Sequence, residues 1–298
     1  MNKPDHAAWA RDVQAHMETR LGELLPQPNL VPERLHQAMR YAVLGGGKRV
    51  RPLLVHAAGE LTGAEISRAE VVSASVEMIH AYSLVHDDMP CMDDDVLRRG
   101  KPTVHVQFDE ATALLVGDAL QALAFQIVAE NRLCDSDAQQ LNAITLLSHA
   151  CGSRGMAGGQ AIDLASVGKH LSLPELEFMH IHKTGALIRA AILMGAACGR
   201  PLDEKQQSAL DRYAKCVGLA FQVVDDVLDA EASTATLGKT AGKDAKDGKP
   251  TYVSIVGAAQ AKALADDLHG DALQAVEIFD HQADRLRFLA DYIVKRQH

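Results

Sequence analysis

A chain of 298 residues that is 47% hydrophobic can bury one large core, and we expect a single domain over 1–298. Its 30 Lys and Arg against 39 Asp and Glu give a net charge of −9, which argues against a general nucleic-acid binder that works by neutralising phosphates. The expected partner is a small molecule, and local charge matters more than the overall sign.

Apolar residues recur at three- and four-residue spacing, as in Leu35, Met39, Ala42 and Val43, or Val72, Val76 and Ile79. Alanine is abundant and alternating β-branched runs are absent, so propensity agrees with period and predicts an all-α fold. The spacing predicts helices over 32–44, 52–61, 66–89, 110–131, 137–153, 174–199, 203–230 and 272–296. Pro32 and Pro174 suit first-turn positions, and Gly45, Gly46 and Gly47 form a break before Lys48. Residues 232–250, with Gly238, Gly242, Gly248 and several lysines, read either as a solvated loop or as a mobile flap over a site. The five cysteines, with no Cys-x-x-Cys pair, fit free thiols in a reducing compartment. Residues Met1 to His6 lack the apolar run of a signal peptide, and the later apolar segments are interrupted at Gly117 and Asp118 or at Arg189. We therefore expect a cytoplasmic protein without a membrane span.

Two acidic clusters carry the chemistry. The first, residues 86–95, reads His86-Asp87-Asp88-Met89-Pro90-Cys91-Met92-Asp93-Asp94-Asp95 at the end of an apolar helix. Acids this crowded either solvate a helix end or hold divalent cations, and hard oxygen ligands select magnesium or calcium. The second, Gln222-Val223-Val224-Asp225-Asp226-Val227-Leu228-Asp229, lies inside an apolar helix. There Asp225 and Asp229 fall one turn apart, about 6 Å along the axis, with Gln222 on the same face. Two such clusters in one chain favour the metal reading. Basic residues stand where phosphate would need them: Lys48, Arg49 and Arg51 after the glycines, Arg98 and Arg99 after the first cluster, then Lys183, Lys239 and Lys249.

These residues resemble the trans-isoprenyl diphosphate synthases, above all the bacterial farnesyl-forming members. The resemblance spans nearly the whole chain and rests on Gly-Gly-Lys-Arg-Val-Arg-Pro at 46–52, Asp-Asp-x-x-x-x-Asp at 87–93 with Arg98-Arg99-Gly100, His-Lys-Thr-Gly at 182–185, Phe-Gln-x-x-Asp-Asp-x-x-Asp at 221–229, and Leu-Gly-Lys at 237–239. It implies an isoprenoid-synthase helical bundle around a central cavity and a homodimer. Asp87, Asp93 and Asp225 would bind three magnesium ions that hold an allylic diphosphate, supported by Asp88, Asp226 and Asp229. Arg98, Lys183 and Lys239 would neutralise that diphosphate. Lys48, Arg51, His80 and Arg99 would dock isopentenyl diphosphate, and Thr184 and Gln222 would stabilise the allylic cation through their oxygens.

Tyr82, five residues before Asp87, would plug the product tunnel and set a C15 product; geranyl- or geranylgeranyl-forming activity is the alternative. A class I terpene cyclase shares the acid motifs but would have no use for the second anion site. A non-catalytic subunit of a synthase assembly would lack one acid cluster. The four residues between Asp88 and Asp93 would turn Asp93 away on an ideal helix, so a distortion at Pro90 is expected to restore convergence.

Overall fold

The computed structural model describes residues 5–231 and 248–296, and its only strands among them are two residues each. Two compact units emerge, Met1–Ile144 with Met194–Arg200 and Thr145–Leu193 with Pro201–His298.

The first unit contains α1 (His6–Leu24), α2 (Glu33–Val43), α3 (Val50–Thr62), α4 (Ile66–Asp87), a hairpin of β1 (Leu97–Arg98) and β2 (Lys101–Pro102), α5 (Val104–Gln107) and α6 (Glu110–Glu130). It also holds the start of α7 (Asp137–Cys151) and the end of α10 (Ala186–Ala197). Helix α4 packs between α3 and α6 and is buried almost all round, Val72, Val76 and Ile79 being fully enclosed. Helix α6 is long and apolar enough, by length and composition, to cross a membrane, a test that core helices also pass; here it lies along α4. Gly117 does more than interrupt it: a side chain there would meet the His86 ring at 1.9 Å, so the glycine seats that ring, whose Nε2 lies 3.0 Å from the Leu114 carbonyl. Helix α1 went unpredicted because its buried stripe is thin, Ala10, Met17 and Leu21; it starts with Asp5 accepting from the Ala8 N–H at 2.9 Å.

The second unit contains α8 (Met156–Ser166), α9 (Leu173–His180), a π-helical turn (Ile181–Gly185), α11 (Glu204–Glu231), α12 (Tyr252–Val256), α13 (Ala258–Ala275), a 3₁₀ segment (Glu277–Ala283) and α14 (Asp284–Val294). Helix α9 opens with a Ser172–Glu175 capping box and Pro174 in its first turn. Leu176, Met179, Val223, Tyr252, Ala261 and Ala265 form the core between α9, α11, α12 and α13. Two predicted helices are corrected. The 174–199 segment contains the π turn, and 272–296 is broken at Asp280, whose φ of +48° no continuous helix accommodates.

Candidate active site

The first acidic motif begins at the C-terminus of α4, where the last carbonyls lack helical partners. The chain folds back to satisfy them: the N–H groups of Asp93, Asp94 and Asp95 donate to the carbonyls of Asp87, Met89 and Asp88 at 2.8, 3.1 and 3.1 Å. Asp93 is thereby brought beside Asp87 through the backbone, the return the long spacing requires. Asp88 turns inward, 3% exposed, and receives the Arg98 guanidinium through contacts of 2.6, 2.8 and 2.9 Å. Burial raises its carboxyl above the usual carboxylate range, against the pull of Arg98.

Arg98 and Arg99 diverge because of the hairpin between them. Arg99 and Gly100 take φ of +52° and +74°, the pattern of a type I′ turn, so Arg98 faces Asp88 while Arg99 donates to the Gly46 carbonyl at 2.7 Å. Gly47 has to be glycine: its φ is +126°, and a Cβ would lie 2.7 Å from the Arg99 guanidinium. Arg98, Arg99, Lys101, His80, Asp88 and Glu77 line one cavity of about 90 Å³. Burial, then the fields of Arg51, Arg99 and Arg98, hold His80 well below the ordinary imidazole value, so its ring is neutral in this cationic pocket.

In the second unit, the π turn presents Lys183 and Thr184 to different partners. Lys183 Nζ lies 2.5 Å from Oδ2 of buried Asp163, with Lys249 Nζ at 4.0 Å from the same oxygen. Thr184 donates to Gln222 Oε1 at 3.0 Å, Gln222 donates to Asp226 Oδ1 at 2.8 Å, and the Tyr252 N–H donates to Asp226 Oδ2 at 2.9 Å. The turn fits closely against α8 because Gly159 has no side chain; a Cβ would sit 2.1 Å from the Lys183 nitrogen. Asp225 points elsewhere and receives Arg296 at 3.2 Å; that guanidinium also donates to the Phe221 carbonyl at 2.8 Å and lies over the Phe221 ring. His180, stacked on Tyr252, is held at about 4 by burial and by Lys183.

The polyprenyl synthetase family model matches residues 32–282. The chain belongs to that family. The farnesyl diphosphate synthase of Escherichia coli is 49% identical over 264 residues, 87% of this chain and 88% of the relative. Among solved structures, an apo FPP/GFPP synthase from Zymomonas mobilis superposes with a TM-score of 0.88 at 42% identity, covering 97% of this chain and 99% of its own. A geranyltransferase from Helicobacter pylori, complexed with magnesium and isoprenyl diphosphate, gives 0.85 at 30% identity, covering 99% and 98%. The all-α expectation and the resemblance read from the motifs are thus borne out.

For a polyprenyl synthetase, two sets of the predicted residues are brought together, and others stand apart. His80, Arg98 and Arg99 share the first unit's pocket, and Arg51, 9% exposed, acts on His80 through its charge. Thr184, Gln222 and Asp226 share a hydrogen-bond chain. Lys48 stands on the exposed loop before α3, its carbonyl accepting from Gln14, and Tyr82 is buried with its ring steeply inclined, at 75°, to that of His86. Lys239 and most of the 232–250 loop lie outside the described residues.

Arg49 is a correction: the basic residue read as a phosphate contact is 4% exposed and bridges Glu77 at 2.5 Å and Glu18 at 2.7 Å, so it ties α1, α3 and α4 together. Sequence reasoning also missed Lys101, Asp163 and Gln160, the last 8% exposed with neither amide atom hydrogen-bonded. The short Gln160-x-x-Asp163 spacing on one helical face was the available signal. The donor chemistry fits magnesium. Among the described residues no three His, Cys, Asp or Glu side chains form a closed cluster, and magnesium uses few carboxylates and completes its shell with water and phosphate oxygens.

Proposed function

We infer that this chain is a prenyltransferase that joins isopentenyl diphosphate head to tail with dimethylallyl and then geranyl diphosphate, releasing diphosphate and forming farnesyl diphosphate. The observation that carries this reading is the cationic pocket beside the first acid motif, where Arg99, Lys101 and His80 supply an anion site in addition to the carboxylates. A terpene cyclase, which binds one diphosphate, has no use for it. Family membership and 49% identity to a farnesyl diphosphate synthase point the same way.

In this reading Asp87, Asp93 and Asp225 would hold three magnesium ions, which would supply Lewis-acid charge to the leaving diphosphate. Arg98 fixes Asp88, and Lys183 and Lys239 neutralise the allylic diphosphate. Lys48, Arg51, His80 and Arg99 hold isopentenyl diphosphate. The oxygens of Thr184 and Gln222 stabilise the cation electrostatically as the carbon–oxygen bond opens, and the alkene of isopentenyl diphosphate then attacks it. The released diphosphate takes the proton, and the 232–250 loop would exclude water that otherwise quenches the cation. Tyr82 limits the product to C15; the Zymomonas relative, named for two products, keeps a longer product as the alternative. The same reading makes the chain one catalytic domain, cytoplasmic and homodimeric, with Leu114 and Leu115 of α6 about half exposed as candidate partner contacts.

Incubating the protein with magnesium and both five-carbon substrates should consume each of them and yield a C15 diphosphate by mass analysis. Consumption of dimethylallyl diphosphate alone would overturn the synthase reading.

A further inference from the structure

The polyprenyl synthetase match begins at residue 32, so helix α1 (His6–Leu24) lies outside it. None of the residues assigned above to substrate or metal comes from α1, yet two of its side chains hold the loop that carries Lys48. That loop, residues 44–49, joins α2 to α3 and leads into Arg51. Gly45, Gly46, Gly47 and Arg49 have φ of +102°, +92°, +126° and +47°, a path that no regular element follows. Consecutive glycines lose the most conformational freedom on ordering, so the shape of this loop needs contacts from outside it.

Helix α1 supplies such contacts at both ends of the loop. Gln14 donates to the Lys48 carbonyl at 2.7 Å, and Glu18 Oε1 accepts from the N–H groups of Gly45 and Gly46 at 2.5 and 3.3 Å. Four residues apart, Gln14 and Glu18 share one face of the helix. Glu18 Oε2 also receives Arg49 Nη2 at 2.7 Å, and Arg49 continues to buried Glu77 on α4. Partial burial opposes the charge on Glu18, but the bonds from Arg49 and the glycine N–H groups outweigh it and hold this carboxyl below its ordinary value. On the other side of the loop, the Gly46 carbonyl accepts from Arg99 at 2.7 Å. Gly46 is thus held by α1 through its N–H and by Arg99 through its carbonyl, so a shift of Glu18 is passed to Arg99.

We propose that Gln14 and Glu18 are positioning residues for the second anion site: α1 fixes the glycine loop in the shape that lets Lys48, Arg51 and Arg99 take one diphosphate together, and so sets the affinity for isopentenyl diphosphate without touching it. The identity of that ligand rests on the function proposed above.

Calorimetric titration of the full chain with isopentenyl diphosphate in EDTA, and steady-state turnover with geranyl diphosphate and magnesium, test this. Glu18→Ala should weaken the binding and raise the KM for isopentenyl diphosphate about tenfold, the scale of hydrogen bonds to a charged group. Gln14→Met, which keeps the bulk and removes the donor, should do so about threefold, the scale of a neutral bond. In both variants the KM for geranyl diphosphate should stay within about twofold, since its anion does not rest on this loop. Glu18→Gln, which keeps an acceptor for the glycine N–H groups and loses the charge facing Arg49, should recover part of the loss. His16→Ala breaks the contact of α1 with Glu70 on the opposite side of the helix and should leave both KM values unchanged. Lower thermal stability with an unchanged KM for isopentenyl diphosphate in Glu18→Ala and Gln14→Met, or an equal rise for the two substrates, overturns the positioning role. A shift in His16→Ala as large as in Glu18→Ala does the same. If wild type forms no product while the EDTA binding falls in the variants, the proposed function fails and the positioning of an anion site stands; if wild type binds no isopentenyl diphosphate in EDTA, the anion site and its positioning fall together.

Discussion

The two acidic motifs order their carboxylates by opposite means. At the end of α4 the backbone does the work, three N–H groups folding back on the last carbonyls so that Asp93 returns to Asp87. In α11 the helix is continuous and side chains do it: Gln222 and the Tyr252 N–H fix Asp226, while Arg296 engages Asp225. A motif at a helix end can be organised by the free carbonyls that every helix leaves, whereas Asp225 and Asp226, more than a turn inside α11, have their backbone groups engaged in the helix and need neighbours.

The sharpest test is whether the two arrangements serve one reaction. Asp87→Ala and Asp225→Ala should each lower kcat by on the order of 10³-fold, the scale of losing a major electrostatic contact to developing charge. If both act on a single leaving group, the double variant should be little worse than either alone, because groups that act as a unit are not additive. Fully multiplicative losses in steady-state kinetics would divide the motifs between separate functions.

Next in size is a pH effect at the second motif, which adds to the one that buried His80 contributes in the first unit. His180 is held at about 4 in the folded chain against an ordinary 6.5. The unfolded chain therefore takes up this proton first as pH falls, and stability retained above 6.5 is lost between 6.5 and 4, by at most ~3 kcal/mol. His180→Phe, which keeps the stack on Tyr252, should flatten that part of the stability–pH curve measured by urea unfolding. A slope unchanged in the variant would place the titration elsewhere.

At the first motif the matching perturbation is Arg98→Ala, which leaves the Asp88 carboxylate buried without its guanidinium. Since Arg98 is itself about one-third exposed, the cost should be ~1–3 kcal/mol rather than the larger penalty of a fully enclosed pair. Arg98→Lys should recover only part of it, because an ammonium cannot reproduce the two-pronged contact. Thermal unfolding of the three proteins decides this.

Much of this was legible in the sequence where chemistry and period coincide. Helices α4, α6 and α11 are long and strongly patterned, and Thr184 and Gln222, singled out together by their motifs, share a hydrogen bond. Three features were hidden, each for a physical reason. Arg49 looked like an anion contact because nothing local reveals Glu77, 28 residues away, as its buried partner. Helix α8 was not among the predicted helices because Gly158 and Gly159 lower its propensity, although Gly159 is where α8 must approach the π turn. The turn at Arg99 and Gly100 has no apolar strands beside it, so the hairpin that sends Arg98 and Arg99 apart left no period to detect.

The smallest expected effect concerns the asymmetry itself. Arg296 binds Asp225 at 3.2 Å with its side chain 5% exposed, while Asp225 is about half exposed. A guanidinium held between a carboxylate and the Phe221 ring is worth ~0.5–1 kcal/mol, and that much must be overcome before Asp225 can turn to a metal. Arg296→Ala should therefore lower the magnesium concentration for half-maximal activity about two- to fivefold, with a small loss of thermal stability from the emptied packing against Phe221. The first motif, whose Asp93 is set by backbone bonds, offers no equivalent release. A magnesium titration that shifts upward in Arg296→Ala would mean that the arginine helps to assemble the site by orienting Asp225, and the side-chain route would then match the backbone route in purpose as well as in result.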